Sequence, residues 1–147
     1  MIRIETELFI SAPPEKIWAA LMDFDKYPEW NPFVLKIKGN QEKGAKLDIH
    51  VRNPDGSGRI MRFDPKIMIL EENKMFAWKG RFFIPGIFDG VHYFRLAPAG
   101  NGTLFTHGEA FSGLLANMMR KTILEKYPKN FEAMNIELAK RVTDKST

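Results

Sequence analysis

The chain has 147 residues, of which 44% are hydrophobic, and its 22 Lys and Arg against 18 Asp and Glu give a net charge of +4. This size and apolar content predict a single domain, residues 1–147, with a core large enough to contain a cavity. The absence of cysteine excludes disulfides, thiolate metal sites and cysteine nucleophiles. Because the basic residues are scattered among acidic ones, we expect no nucleic-acid partner.

The first ten residues alternate between apolar and charged side chains. Ile2, Ile4 and Leu8 recur with the two-residue period of a half-buried strand. Two acidic residues stand where a signal peptide would need an apolar run, and no later segment has the composition of a membrane span. We therefore expect a cytoplasmic protein without a membrane span, either a monomer or a homodimer.

Two short helices are predicted next. Pro13 and Pro14 fit the first turn of a helix, where a missing N–H costs nothing, and an apolar face follows them. Residues 23–30 form a second short helix or turn, which ends near Pro28 and Pro32.

A run of strands and a last helix complete the chain. Residues 33–111 contain strands separated by Gly, Asn and Pro turn signals, which favour antiparallel neighbours. Pro65 is expected at a bulge or an edge, since it cannot donate to a strand ladder. From Leu115 to Val142 apolar residues recur every three or four positions, which predicts a helix of roughly 28 residues, about 42 Å long. We expect this helix to be kinked at Pro128.

These elements predict an α+β fold, and three segments resemble a known family. Residues 11–32, 88–96 and 102–115 resemble the polyketide cyclase/dehydratase-like branch of the START-related helix-grip superfamily, also called SRPBCC. The resemblance implies a curved, seven-stranded antiparallel sheet wrapped around the C-terminal helix over a hydrophobic cavity, with two short helices between strands 1 and 2. It also implies a function, since members bind lipids, sterols, hormones, quinones or polyketides and only sometimes catalyse reactions.

Two histidines and one glutamate form the chemically suggestive group. By alternation His92 shares an inward face with Phe94, and His107 shares one with Glu109. If residues 98–101 form the turn between these strands, Leu96 pairs with Thr103, and His92 lies opposite His107 with Cβ atoms about 5 Å apart. Three interpretations follow: a buried hydrogen-bonded network, polar groups that orient an apolar ligand, or proton transfer or metal binding. No spacing signature supports a metal site, and we predict none.

Aromatic and thioether side chains are predicted to line the cavity. Gly80 removes bulk from the face that carries Trp78, and the apolar segment 83–88, with Pro85, is interpreted as a lid. The predicted ligand-binding residues are Trp30, Phe33, Phe63, Trp78, Phe82, Pro85, Phe88, His92, Phe94, Phe105, His107, Glu109, Phe111, Leu115, Met118 and Met119.

Three functions are compatible with this sequence. The first is a carrier or sensor for a small hydrophobic ligand such as a lipid, isoprenoid, quinone or polyketide. The second is a cyclase, aromatase or dehydratase that uses His92, His107 and Glu109 as candidate catalytic groups for proton transfer. The third is a protein-interaction module. Because the sequence has no phosphate loop, dinucleotide motif or nucleophile elbow, we expect no cofactor.

Overall fold

The computed structural model describes residues 1–82 and 86–144, with the exception of the Phe82 side chain. The strands are β1 (Ile2–Ile10), β2 (Val34–Lys38), β3 (Asp48–Arg52), β4 (Ile60–Phe63), β5 (Lys66–Glu71), β6 (Met75–Phe82), β7 (Phe88–Ala99) and β8 (Gly102–Ser112). The helices are α1 (Pro14–Met22), α2 (Tyr27–Trp30), α3 (Leu114–Met118) and α4 (Arg120–Thr143), with a short 3-10 helix (Phe24–Lys26) before α2.

The strands form two antiparallel sheets, in the orders β1-β8-β7-β6-β5 and β2-β3-β4. The prediction of one seven-stranded sheet was therefore wrong in its count: the described residues form eight strands, five in one sheet and three in the other. The additional break lies at Pro65, between β4 and β5, because a proline cannot donate a ladder hydrogen bond. Backbone hydrogen bonds from Leu47 to Pro65 and from Ile67 to Ala45 link the two sheets at this corner.

The N-terminal helices follow from local sequence. Pro13 has extended dihedral angles and Pro14 occupies the first helical position of α1, where its missing N–H leaves no partner unsatisfied. Ile17, Trp18 and Leu21 form the buried face of α1. The prediction of two short helices between the first two strands is confirmed.

The C-terminal helical region is divided. Instead of one helix of 28 residues, α3 ends at Met118 and the 24-residue α4 begins at Arg120. The expected kink site, Pro128, lies inside α4, which continues as one helix on both sides of it. The break between the two helices lies at Met119.

The core lies between the larger sheet and α4. The buried stripe of α4 contains Ile123, Phe131 and Leu138 at intervals of seven or eight residues, and α4 packs on β1 and β8. The arrangement is the α+β helix-grip fold, with a long C-terminal helix held against a curved sheet. Among the described residues, no helix is long and apolar enough to cross a membrane.

Candidate functional site

A cavity lies between the two sheets and α4. Its volume is about 60 Å³, within an empty space of about 560 Å³ that includes the solvent-facing mouth. The lining residues are Phe33, Val51, Pro54, Met61, Phe63, Trp78, Gly80, Phe88, Gly90, His92, Glu109, Phe111 and Tyr127. The wall is therefore mostly apolar, and among the described residues its titrating side chains are one imidazole, one carboxyl group and one phenol.

The pairing of β7 with β8 fixes the polar part of the wall. Ala99 pairs with Gly102, so the turn consists of Gly100 and Asn101 alone, and Gly100 adopts a positive φ of 57°. The predicted register was wrong by two residues: Leu96 pairs with Phe105, not with Thr103. His92 therefore lies opposite Glu109, while His107 lies opposite Phe94. Because a shift of two residues keeps every side chain on its face, both histidines still point into the core.

The two histidines belong to a continuous chain of hydrogen bonds. Glu109 Oε1 lies 2.9 Å from His92 Nδ1, and His92 Nε2 lies 2.7 Å from His107 Nε2. His107 Nδ1 lies 2.9 Å from Asn135 Oδ1, and Asn135 Nδ2 donates to Thr6 Oγ1 over 2.8 Å. This hydrogen-bond chain thus runs from the cavity wall on β8 along the inner face of the sheet to α4 and β1.

Aromatic rings hold both imidazoles in place. Trp78 stacks on His92 with ring centroids 4.8 Å apart and planes 7° apart. Phe131 stacks on His107 at 4.3 Å and 4°. Phe33 also faces His92 at 6.0 Å, and its backbone N–H is fixed by the Asn31 side chain. These contacts exclude water from the imidazole faces.

Burial favours the neutral form of each titrating group in this hydrogen-bond chain. Desolvation raises the pKa of Glu109 to about 8 and lowers the pKa of His92 to about 3. The pKa of His107 is also well below its usual value, because of burial first and the neighbouring His92 second. The Glu109 side chain keeps 17% exposure, so water in the cavity can reach its carboxyl group.

The structure brings together about half of the predicted ligand-binding residues. Those that line the cavity are Phe33, Phe63, Trp78, Phe88, His92, Glu109 and Phe111. His107, Phe94 and Phe105 are fully buried behind this wall, and Trp30 packs on Tyr27.

The remaining predicted residues lie elsewhere. Leu115 and Met119 are half-buried against the core, whereas Met118 is 75% exposed and does not line the cavity. Pro85, the centre of the predicted lid, and the Phe82 side chain lie outside the described residues. Residues 86–88 of the predicted lid are described, and they contact α3: Leu115 N–H donates to the Ile87 carbonyl oxygen over 2.9 Å.

Some residues of the site were missing from the sequence prediction. Val51, Pro54 and Met61 come from the smaller sheet and its connecting loop, and Tyr127 comes from α4. Asn135 lies behind the wall and completes the hydrogen-bond chain. Asn135 had a signal in the sequence, since it interrupts the apolar stripe of α4 between Phe131 and Leu138.

The geometry does not resemble a metal site. The Nε2 atoms of His92 and His107 point at each other at 2.7 Å instead of converging on a common point. Among residues 1–82 and 86–144, no group of three His, Asp or Glu side chains is arranged to hold a metal ion.

Similar folds occur in several solved structures. The aromatase/cyclase Zhui from Streptomyces sp. R1128 matches with a TM-score of 0.76 and 16% identity over 99% of this chain and 95% of that chain. TTHA0849 from Thermus thermophilus matches with a TM-score of 0.75 and 18% identity over 99% of both chains. The di-domain ARO/CYC StfQ from the steffimycin biosynthetic pathway has a TM-score of 0.75 and 16% identity over 99% of this chain, which spans 52% of StfQ.

At these identities the solved structures establish the fold alone. A comparison with curated proteins gives no match. A model of the family described as "Polyketide cyclase / dehydrase and lipid transport" matches residues 1–142. Because this match covers nearly the whole sequence, the chain belongs to the polyketide cyclase / dehydrase and lipid transport family.

Proposed function

We propose that this protein binds a small hydrophobic ligand in the cavity, as a carrier or a sensor. The observation that carries the proposal is an apolar cavity into which one hydrogen-bonded polar pair, Glu109 and His92, opens. Few convergent polar groups on an apolar wall are typical of sites that orient a hydrophobic molecule. The ligand classes in question are lipids, isoprenoids, quinones and polyketide-like molecules.

The cavity has to widen before such a ligand can enter. Drug-sized ligands occupy sites of roughly 300–1,000 Å³, whereas the cavity volume is about 60 Å³. The wall formed by Met61 and Phe63 is the part best suited to move, since β4 pairs with β3 on one side only. Both side chains are half-buried, so displacing them exposes less apolar surface than displacing a fully buried wall residue would.

Native mass spectrometry of the protein purified from its own host tests this proposal. We expect a co-purifying small molecule that denaturation releases. Met61→Trp narrows the cavity and is expected to reduce the bound fraction at least fivefold. The matched control is Met68→Trp, because Met68 is 40% exposed on β5 and does not line the cavity. Equal amounts of ligand in both variants would contradict binding in this cavity.

A second candidate function is an enzyme of the cyclase or dehydratase type. The hydrogen bond between Glu109 and His92 at the cavity wall favours it, because a carboxyl group and an imidazole in contact can exchange a proton with a bound molecule. The match to the polyketide cyclase / dehydrase family and the likeness to the aromatase/cyclase Zhui add support.

Replacing both histidines separates the two candidates. For a binding protein, the double variant His92→Gln/His107→Gln retains ligand affinity within a few-fold, because glutamine keeps a donor and an acceptor. For an enzyme, the same variant loses turnover by about a hundredfold or more. His50→Gln is the matched control, since His50 lies on β3 beside Asp48, away from the cavity.

A further inference from the structure

The direction of the hydrogen-bond chain is set by a backbone carbonyl. Thr6 Oγ1 lies 2.9 Å from the carbonyl oxygen of His107, which can only accept, so the Thr6 hydroxyl donates to it. The lone pairs of Thr6 Oγ1 are then available to Asn135 Nδ2, 2.8 Å away. This contact orients the Asn135 amide, and its Oδ1 atom therefore points to His107.

The tautomers of both histidines follow. Asn135 Oδ1 only accepts, so His107 Nδ1 carries a hydrogen and donates to it over 2.9 Å. Because burial keeps His107 neutral, its Nε2 atom is a bare acceptor. His92 Nε2, 2.7 Å away, must then carry a hydrogen and donate. His92 Nδ1 is left to interact with Glu109.

One proton lies between Glu109 and His92. If His92 is neutral, its Nδ1 atom accepts from a protonated Glu109 Oε1 over 2.9 Å. If the proton moves to His92, an imidazolium donates to a carboxylate. The raised pKa of Glu109 and the lowered pKa of His92 favour the neutral pair. In either arrangement the proton sits on the Oε1 side of the carboxyl group.

The second oxygen of Glu109 is therefore an acceptor at the cavity. Glu109 Oε2 has no hydrogen-bond partner among the described residues, and both Glu109 and Gly90 line the cavity. The missing side chain at Gly90 makes room for this atom, since a Cβ there would lie 2.6 Å from it. Tyr127 and Asp55 are the other titrating groups near this wall, and neither is hydrogen-bonded to Glu109 within the described part of the chain.

We propose that the cavity selects ligands that carry a hydroxyl group, whether of a phenol, an enol or an alcohol. This hydroxyl group donates a hydrogen bond to Glu109 Oε2. This inference rests on the proposed binding function and narrows its ligand class. A ligand with only acceptors, such as a ketone or a quinone, leaves this oxygen unpaired when it displaces water from the cavity. Leaving a desolvated acceptor unpaired opposes binding.

A matched pair of probes tests the proposal: 2-naphthol and 2-methylnaphthalene, which differ by a hydroxyl or a methyl group of similar size. Titration of the wild-type protein by NMR at pH 6.5 is expected to give about tenfold tighter binding of 2-naphthol. The Glu109 carboxyl carbon resonance is expected to shift with 2-naphthol and to stay in place with 2-methylnaphthalene. Equal affinities, or tighter binding of the methyl compound, would overturn the hydroxyl selection and leave the binding function intact.

Two variants locate the effect at Glu109. Glu109→Gln can donate from its amide to His92 Nδ1 and present its carbonyl oxygen to the cavity, so the tenfold preference is expected to persist. Glu109→Met removes the acceptor at similar size, and the preference is expected to disappear. A preference that survives in Glu109→Met would overturn the assignment. If that variant does not fold, the carbon resonance of the wild-type protein decides. Failure of both probes to bind the wild-type protein would contradict the binding function itself.

Discussion

Gly80 lies directly opposite Gly90 in the pairing of β6 with β7, and both border the cavity. Their surroundings differ. A Cβ at Gly80 would meet Phe63 and Pro65 at 3.6 Å, an ordinary contact distance, whereas a Cβ at Gly90 would lie 2.6 Å from Glu109 Oε2. The pair therefore separates the effect of filling the cavity from the effect of displacing Glu109.

We expect Gly90→Ala to lower the free energy of unfolding by about 1–3 kcal/mol, because the displaced carboxyl group loses its contact with His92. Gly80→Ala is expected to leave stability unchanged or to raise it by about 0.4–1 kcal/mol, since alanine restricts the unfolded chain. Urea unfolding of the two variants measures both effects. Equal destabilisation by the two substitutions would show that Glu109 does not fill the space beside Gly90.

Glu109→Gln is expected to change how stability depends on pH. Glu109 loses its proton near pH 4.5 in the unfolded protein and near pH 8 in the folded protein. Between these pH values only the unfolded state releases the proton, so rising pH favours unfolding. The wild-type protein therefore loses stability between about pH 4.5 and 8 through this group, with a slope that approaches about 1.4 kcal/mol per pH unit. Glutamine does not titrate, so the free energy of unfolding of the variant rises relative to that of the wild type as pH increases across this window.

Urea unfolding at several pH values between 5 and 8.5 measures this difference. The histidines act in the opposite direction: the pKa of His92 falls from 6.5 to about 3, so its contribution is lost as pH decreases below 6.5. Maximal wild-type stability is therefore expected near pH 6.5. Glu42→Gln, at an exposed position, is the control. Parallel curves for Glu109→Gln and the wild type would contradict the raised pKa.

The sequence predicted which faces of β7 and β8 are buried but not which residues are paired. Alternation determines the face of each side chain, and it placed His92 and His107 inside. Register depends on the turn, and residues 98–101 permit turns of different length. The two-residue turn at Gly100 and Asn101 moved the pairing by two positions, which conserves the face.

The site residues that come from helices were harder to predict than those that come from strands. Asn135 meets Thr6 and His107 only because α4 crosses β1 at this position, and the two residues Thr6 and Asn135 are 129 positions apart in sequence. No local sequence pattern specifies where along a sheet a helix packs or how the helix is rotated about its axis. The extra strand boundary at Pro65 was closer to prediction, since proline was already expected to disrupt the ladder there.

Substitutions at Asn135 and Thr6 are expected to be energetically coupled. Asn135→Leu leaves His107 Nδ1 without its acceptor, and Thr6→Val removes the hydroxyl group that receives the amide hydrogen. Each substitution is expected to cost about 1–3 kcal/mol, because it leaves a buried polar group unpaired. The double variant is expected to cost less than the sum, since both remove the same hydrogen bond. Additive costs from urea unfolding would contradict a connected chain.

The imidazoles of His92 and His107 are expected to remain neutral throughout the range in which histidine normally titrates. Burial between aromatic rings disfavours the charged form, and it lowers the pKa of His92 to about 3. The ring proton resonances of both residues are therefore expected to show no inflection between pH 5 and 7, below the pH at which Glu109 loses its proton, whereas an unperturbed imidazole changes charge near pH 6.5.

NMR titration of selectively labelled histidines provides this measurement. The nitrogen shifts are further expected to place the hydrogens on Nδ1 of His107 and Nε2 of His92, as the anchored chain requires. Trp78→Phe keeps an aromatic ring on His92 and is expected to leave the flat titration unchanged, whereas Trp78→Ala admits water and is expected to raise the pKa of His92 toward 6.5. An inflection near pH 6.5 in the wild-type protein would contradict the neutral chain, in which a charged His107 could not accept the hydrogen bond from His92.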